Sequence, residues 1–231
     1  MRTAAAAVGI IALATWAQAQ GPAGLKEQKE KVSYVIGVDI GKALQKQGVA
    51  IDPDLVARGI KDGVSGGKLL MSDQEIKETM TAFQKEMRAK QEVALKQAGE
   101  KNKREGEAFL AENKIKEGVK TLPSGLQYKV IKAGSGKKPK ATDTVVTHYK
   151  GTLLDGTEFD SSYKRNQPAT FKVNGVIRGW TEALQLMEEG AQWVLYVPAA
   201  LAYGERGAGP QIGPNATLTF EVELISVQET K

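Results

Sequence analysis

Apolar residues follow two different rhythms along this chain. From Leu25 to about Gly67 they recur at short helical spacings, with Val35, Ile36, Val38 and Ile40 interrupted by Gly37 and Gly41. Asp52-Pro53 predicts a helix start, because proline fits the first turn, where its missing N–H leaves no bond unmade. Gly63 and Gly66-Gly67 predict that element's end. Helices this short carry too little apolar surface for a core of their own, so the pattern favours burial against a partner chain. Ser72 then reads as the N-cap of a longer helix, with Glu75 three residues on completing a capping box. Ile76, Met80, Phe83 and Met87 keep the helical spacing, after which the pattern thins into alternating charge until Phe109 and Leu110. An unbroken helix from Ser72 to Asn113 would span on the order of 60 Å at about 1.5 Å per residue. A helix that long and that polar is a spacer or one of a helical pair, and Gly99 and Gly106 are its expected flex points.

After Leu122-Pro123-Ser124-Gly125 the period becomes two. Leu126, Tyr128 and Val130 alternate with Gln127 and Lys129 as a first strand. Thr144 to Leu153 and Thr157 to Asp160 flank Asp155-Gly156, a dipeptide suited to a tight hairpin turn. In the last strand Leu218, Phe220, Val222 and Leu224 share one face, with Thr217, Thr219, Glu221 and Glu223 on the other. The pattern predicts a half-buried antiparallel sheet. A short helix over Gly179 to Gly190, apolar at Trp180, Leu184 and Met187, is available to cover its buried face.

Composition adds little to this division and limits the chemistry. The chain has 231 residues, 41% hydrophobic and 26% charged, and only 6% aromatic, with the aromatics gathered in the C-terminal half. Residues 1–19 have the form of a secretory signal: Arg2, an apolar run from Ala4 to Leu13, and Ala17-Gln18-Ala19 as a small-x-small cleavage site. The run is shorter than the roughly 20 residues a membrane span needs, so an uncleaved anchor is the weaker reading and no integral span is expected in the mature chain. There is no cysteine, which excludes disulfides, thiol catalysis and a cysteine-linked lipid anchor. The formal net charge of +5 drops by one with Arg2, and the remaining basic residues are interleaved with acids. That is a solvated surface rather than a nucleic-acid footprint. His148, the single histidine, lacks metal partners, and strand alternation puts it on the face opposite Tyr149, so no metal or cofactor is expected.

Several motifs stand in order between Val145 and Val227: V-V-T-H-Y-K-G-T-L-L-D-G-T-E-F-D-S-S, N-G-V-I-R-G-W-T-E-A-L, V-P-A-A-L-A-Y-G and P-N-A-T-L-T-F-E-V-E-L. In sequence and spacing this segment resembles the FKBP family of peptidyl-prolyl cis-trans isomerases. More loosely, the N-terminal layout resembles the dimerisation region and connecting helix of the macrophage infectivity potentiator type. The resemblance implies an α+β chain: signal peptide 1–19, helical dimerisation domain 20–86, connecting helix 87–116, and isomerase domain 117–231 built as a twisted antiparallel sheet wrapped on a short helix. It implies Trp180 as the floor under a proline ring, with Tyr149, Phe159, Phe171, Val176, Ile177, Ile212 and Phe220 as walls. Asp160, the Tyr203 hydroxyl and the Ile177 backbone N–H would be the polar contacts. Taken alone, Asp160 reads equally well as a turn-capping carboxylate. Ala208 stands where many family members carry histidine, which puts the loop's substrate preference in question.

An X-Pro bond crosses a barrier of about 18 to 20 kcal/mol because rotation destroys amide resonance. No bond breaks, so the site needs only to prefer the twisted amide over the planar one. The expected function is isomerase assistance to the folding of exported proteins, most simply in the periplasm, by a homodimer joined through its N-terminal helices. The partners implied are unfolded or nascent proline-containing proteins and, by the resemblance, macrolide inhibitors such as tacrolimus and rapamycin. A holdase chaperone with weak isomerase activity is the alternative, and a structural adhesin-like dimer a more remote one.

Overall fold

The computed structural model describes residues 24–228, so the expected signal at 1–19 lies outside the described residues. The chain divides after Gln74 into two compact units.

The first unit contains α1 (Gln28–Lys46) and α2 (Pro53–Ser65). Glu27 and Glu30 form a reciprocal capping box at the start of α1. Asp52 caps α2, its Oδ1 accepting from the backbone N–H groups of Asp54 at 2.9 Å and Leu55 at 3.2 Å, with Pro53 in the first turn as expected. Gly63 lies within α2 and does not end it; Gly66, in the left-handed region, does. Neither helix contains a buried residue. Tyr34, Val35 and Ile36 on α1 and Leu55, Ile60 and Val64 on α2 are all at least half exposed.

The helix α3 (Asp73–Asn113), unbroken over 41 residues, starts two residues before the division, and from Glu75 it belongs to the second unit, which continues into one antiparallel sheet. Its strands are β1 (Val119–Thr121), β2 (Gln127–Lys132), β3 (Thr144–Leu153), β4 (Glu158–Ser161), β5 (Ala169–Lys172), β6 (Gln192–Val197) and β7 (Leu218–Gln228). The order is β1-β2-β6-β7-β3-β4, with β5 also pairing to β3. β3 is the spine: β7 runs along one edge, while β5 and then β4 share the other. The Asp155-Gly156 turn joins β3 to β4 as expected, with Gly156 at positive φ and Asp155 Oδ1 accepting from the Thr157 N–H.

Alternation puts Val145, Thr147, Tyr149 and Gly151 of β3 inside, beside Leu218, Phe220, Val222 and Leu224 of β7. The helix α4 (Arg178–Leu184) and the following Met187 fill this face. α4 ends earlier than the apolar spacing to Gly190 predicts: the chain turns after Leu184, so Met187 reaches the same core from a turn. Val130 is 37% exposed, so β2 lacks the clean in-out alternation of β7. Tyr196 and Gln127, paired in register across β6 and β2, lie on the opposite face of the sheet from Leu195. There Phe109 of α3 meets Tyr196 at a ring distance of 5.7 Å, and Gln127 donates to the Leu110 carbonyl and accepts from Asn113. Among the described residues no helix is long and apolar enough to cross a membrane.

Candidate active site

A cavity of about 440 Å³ opens where the sheet's buried face meets the N-terminal end of α4. Tyr149, Phe159, Asp160, Phe171, Val176, Ile177, Trp180, Tyr203 and Phe220 line it, together with Gly175. Nine of the ten site residues expected from sequence therefore converge on one hollow. Ile212 does not line it; it is buried in the adjacent loop, where it exchanges backbone hydrogen bonds with Ala208 at 2.8 and 3.2 Å.

Trp180, expected as the floor, lines the cavity and is only 4% exposed. It stands edge-to-face with Tyr149 at 5.4 Å, Phe171 at 5.9 Å and Phe220 at 5.4 Å. Edge-to-face pairs suit the ring quadrupoles and fix the indole in one orientation. Its Nε1 is buried without a hydrogen-bond partner among the described residues. Phe159 stands edge-on to Phe220 at 5.6 Å as the next wall. That pair depends on Gly151 beneath it: a Cβ there would come within 2.6 Å of the Phe159 ring and 2.9 Å of Phe220.

The polar rim is a cluster of three side chains. Tyr149 donates its hydroxyl hydrogen to Asp160 in a short bond, Arg165 donates Nη1–H to Asp160 at 2.5 Å, and Arg165 Nη2–H reaches the Tyr149 oxygen at 2.9 Å. The guanidinium also stands 5.7 Å from the Tyr149 ring centre. For Asp160, desolvation is the largest single influence and opposes ionisation. The hydrogen bonds from Tyr149 and Arg165 together outweigh it and hold the carboxyl below the usual Asp range. Burial, reinforced by the bond to Asp160, raises the Tyr149 hydroxyl above its ordinary value. Asp160 thus accepts from both neighbours, and those bonds favour its ionised form. Arg165 and Gly151 were not singled out from sequence. Arg165 comes into reach through the turn after β4, which no periodicity announces, whereas Gly151 in the middle of an alternating strand carried a readable sign of close approach.

His148 lies on the other face of β3, its Nδ1 2.9 Å from Ser162 Oγ and its ring stacked on Tyr163, as alternation predicts. Among the described residues no three His, Cys, Asp or Glu side chains gather as a metal site. What the cavity offers is a largely aromatic surface with the Asp160 carboxylate, bonded to Tyr149 and Arg165, and the 40% exposed Tyr203 among its lining.

Comparison with known proteins agrees with this geometry. Residues 135–225 match the family model of the FKBP-type peptidyl-prolyl cis-trans isomerase, and residues 29–130 match that of the domain amino terminal to it. The outer membrane protein MIP of Legionella longbeachae is 48% identical over 99% of this chain and 98% of its own length. The peptidyl-prolyl cis-trans isomerase Mip of Coxiella burnetii is 47% identical over 96% and 95%. The crystal structure of FkpA from Escherichia coli superposes with a TM-score of 0.70 at 38% identity, covering 90% of this chain and all of that one. With both of its regions matched and its length shared by these relatives, the chain belongs to the FKBP-type peptidyl-prolyl cis-trans isomerases of the Mip and FkpA kind.

Proposed function

We propose that the protein assists the folding of exported proteins by twisting and desolvating X-Pro bonds over Trp180, without covalent chemistry. The observation that carries this reading is the aromatic cavity around Trp180. A planar amide entering the cavity gives up water while meeting few donors, and an amide left incompletely bonded is raised by roughly 1 to 3 kcal/mol. The twisted amide is less polar and loses less, so the difference lowers the barrier. At about 1.36 kcal/mol per tenfold in rate, desolvation supplies one to two powers of ten. The remainder comes from holding the twisted geometry, with the Tyr203 hydroxyl and the Ile177 N–H as donors to the carbonyl. The aromatic edges around Trp180 fix the floor in advance, so no binding energy is spent on ordering it.

The half-exposed apolar faces of α1 and α2 support a homodimer joined through this unit, because helices without a single buried residue lack the core that would keep them folded alone. Two cavities in one dimer would raise the effective concentration of the second contact with a long unfolded client. The apparent signal at 1–19 and the name of the Legionella relative support export, to the periplasm or the outer membrane.

The test uses the chain from Gln20 onward. It should form a dimer by light scattering and accelerate the proline-limited refolding of an unfolded client. Suppression of client aggregation with no acceleration of that phase would transfer the function to a holdase.

A further inference from the structure

The last turns of α3 grip the loop that leaves the cavity at Tyr203. Gly99, Asn102, Gly106 and Asn113 form a stripe along α3, buried or half-buried, at spacings of one helix face. Their counterparts lie more than a hundred residues away in sequence, apart from Gln127. Asn102 Nδ2–H donates to the Pro214 carbonyl at 2.8 Å, and Asn215 Nδ2–H reaches back to the Gly99 carbonyl at 3.4 Å. Helix and loop approach so closely that a Cβ on Gly106 would stand 2.3 Å from Thr217 Oγ1, and one on Gly99 would stand 3.1 Å from the Pro214 ring. Both glycines are therefore docking notches, not the flex points their propensity predicts.

From this seam the contact continues to the site. The Asn215 N–H donates to the Gly204 carbonyl at 2.8 Å, next to Tyr203, and so closes the neck of the Tyr203–Thr217 loop. Tyr203 lines the cavity at one end of the loop, and Phe220 lines it three residues beyond the other. The loop has no regular strand or α-helix of its own between Tyr203 and Thr217, and it carries glycine at 204, 207, 209 and 213. Such a segment holds one position only where it is tied down. Its ties are Ile212 in the core, Asn215 at the neck and α3 behind.

We infer that α3 is a positioning element of the isomerase site, with Asn102 and Gly106 fixing the Tyr203–Thr217 loop and through it the placing of Tyr203 in the cavity lining. The inference rests on the reading of that cavity as the isomerase site. It makes α3 a part of the pocket's framework as well as a spacer, so a displacement of α3 is felt as a change in substrate binding.

The test compares Asn102→Ala, Gly106→Ala, Gly106→Ala with Thr217→Ala, and Ala94→Gly in the chain from Gln20, with a proline-containing peptide as substrate. Alanine is a better helix former than either Asn or Gly, so the first two changes strengthen α3 while damaging the seam. Asn102→Ala should raise KM about three- to tenfold, the effect of one net hydrogen bond, and leave kcat within about twofold. It should also shift the backbone amide resonances of Tyr203 to Ile212. Gly106→Ala should do the same more strongly, and adding Thr217→Ala should restore part of the loss by removing the hydroxyl at 2.3 Å. Ala94→Gly weakens the helix at an exposed position away from the seam and should leave KM and the loop resonances in place. Wild-type KM and unshifted loop amides in both seam variants would overturn the inference, as would an equal rise in KM for Ala94→Gly. A wild-type chain inactive on the peptide would remove the isomerase reading instead, and the loop resonances would still decide the seam.

Discussion

Replacing Trp180 tests the floor most directly, and the structure dictates which replacement to use. The indole is 4% exposed and stands edge-on to three aromatic rings. Removing a buried Trp to Ala costs about 3 to 5 kcal/mol, a large share of the 5 to 15 kcal/mol that holds a typical domain together. Trp180→Ala would therefore confuse a lost floor with a lost fold. Trp180→Leu keeps an apolar filler and gives up mainly the ring contacts, each worth about 0.5 to 1.5 kcal/mol, so a destabilisation of about 2 to 4 kcal/mol is expected. The effect on catalysis is separate. A proline ring resting on the indole removes on the order of 50 Å² of apolar surface from water, about 1.2 kcal/mol at about 25 cal/mol per Å². Loss of most of that contact lowers kcat/KM close to tenfold. The assay is peptide isomerisation at a temperature where urea titration shows the variant folded, with rates divided by the folded fraction. A kcat/KM within about twofold of wild type after that correction, in a domain destabilised as expected, would refute the assignment of Trp180 as floor.

Three further outcomes follow from the same geometry. Because Asp160 is held below the usual carboxylate range, its stabilising bonds are complete above the ordinary Asp value of about 3.9 and disappear only as pH falls through its lower folded value; activity should therefore be flat from about pH 6 to about pH 8.5, and a bell-shaped profile in a pH-rate series would contradict a mechanism without proton transfer. Arg165→Met removes two of the donors at the rim; kcat/KM should fall by about two- to fivefold, as for a half-exposed ion pair, with the acid limb of the profile moved to higher pH, and an unchanged limb would show that Arg165 does not hold the carboxylate. A fragment starting at Glu75 should unfold in urea as a more stable unit than one starting at Val119, by about 2 to 4 kcal/mol, since the shorter piece loses the Phe109 contact with Tyr196 and the Asn113 and Leu110 bonds to Gln127; equal stability would mean that α3 adds nothing to the sheet.

Most of the site was legible only through the resemblance of its motifs to the FKBP family, and alternation bears on two of its residues and on one exclusion. On β3 and β7 a period of two decides which side chains are inside, and Tyr149 and Phe220 follow from it, as does the exclusion of His148. Trp180, Val176 and Ile177 could be located through the motif around α4, although the helix's end could not, because Met187 keeps helical spacing while sitting in a turn. Ile212 was read as a wall by the resemblance alone, and it does not line the cavity. It is buried, and its backbone pairs with Ala208 within the loop. Arg165 is the opposite case, a charged residue in a turn that reads as solvated surface until the turn places it on Asp160.

Gly99 and Gly106 show where local reasoning runs out. Within a helix, glycine is legible only as a backbone that costs about 1 kcal/mol more to order than alanine, so two of them in a charged stretch read as weakness. The feature that explains them is Pro214, Asn215 and Thr217, brought there by the return of the chain from β6 to β7. No periodicity within α3 encodes that meeting, because the partner is a loop and contributes a carbonyl, an amide, a proline ring and a hydroxyl rather than an apolar stripe. The same substitution to alanine thus has opposite signs by position: it should stabilise α3 wherever the helix is free and disturb the domain at Gly106. The sign of that change, measured at one position, separates a helix that merely spans from a helix that also belongs to the site.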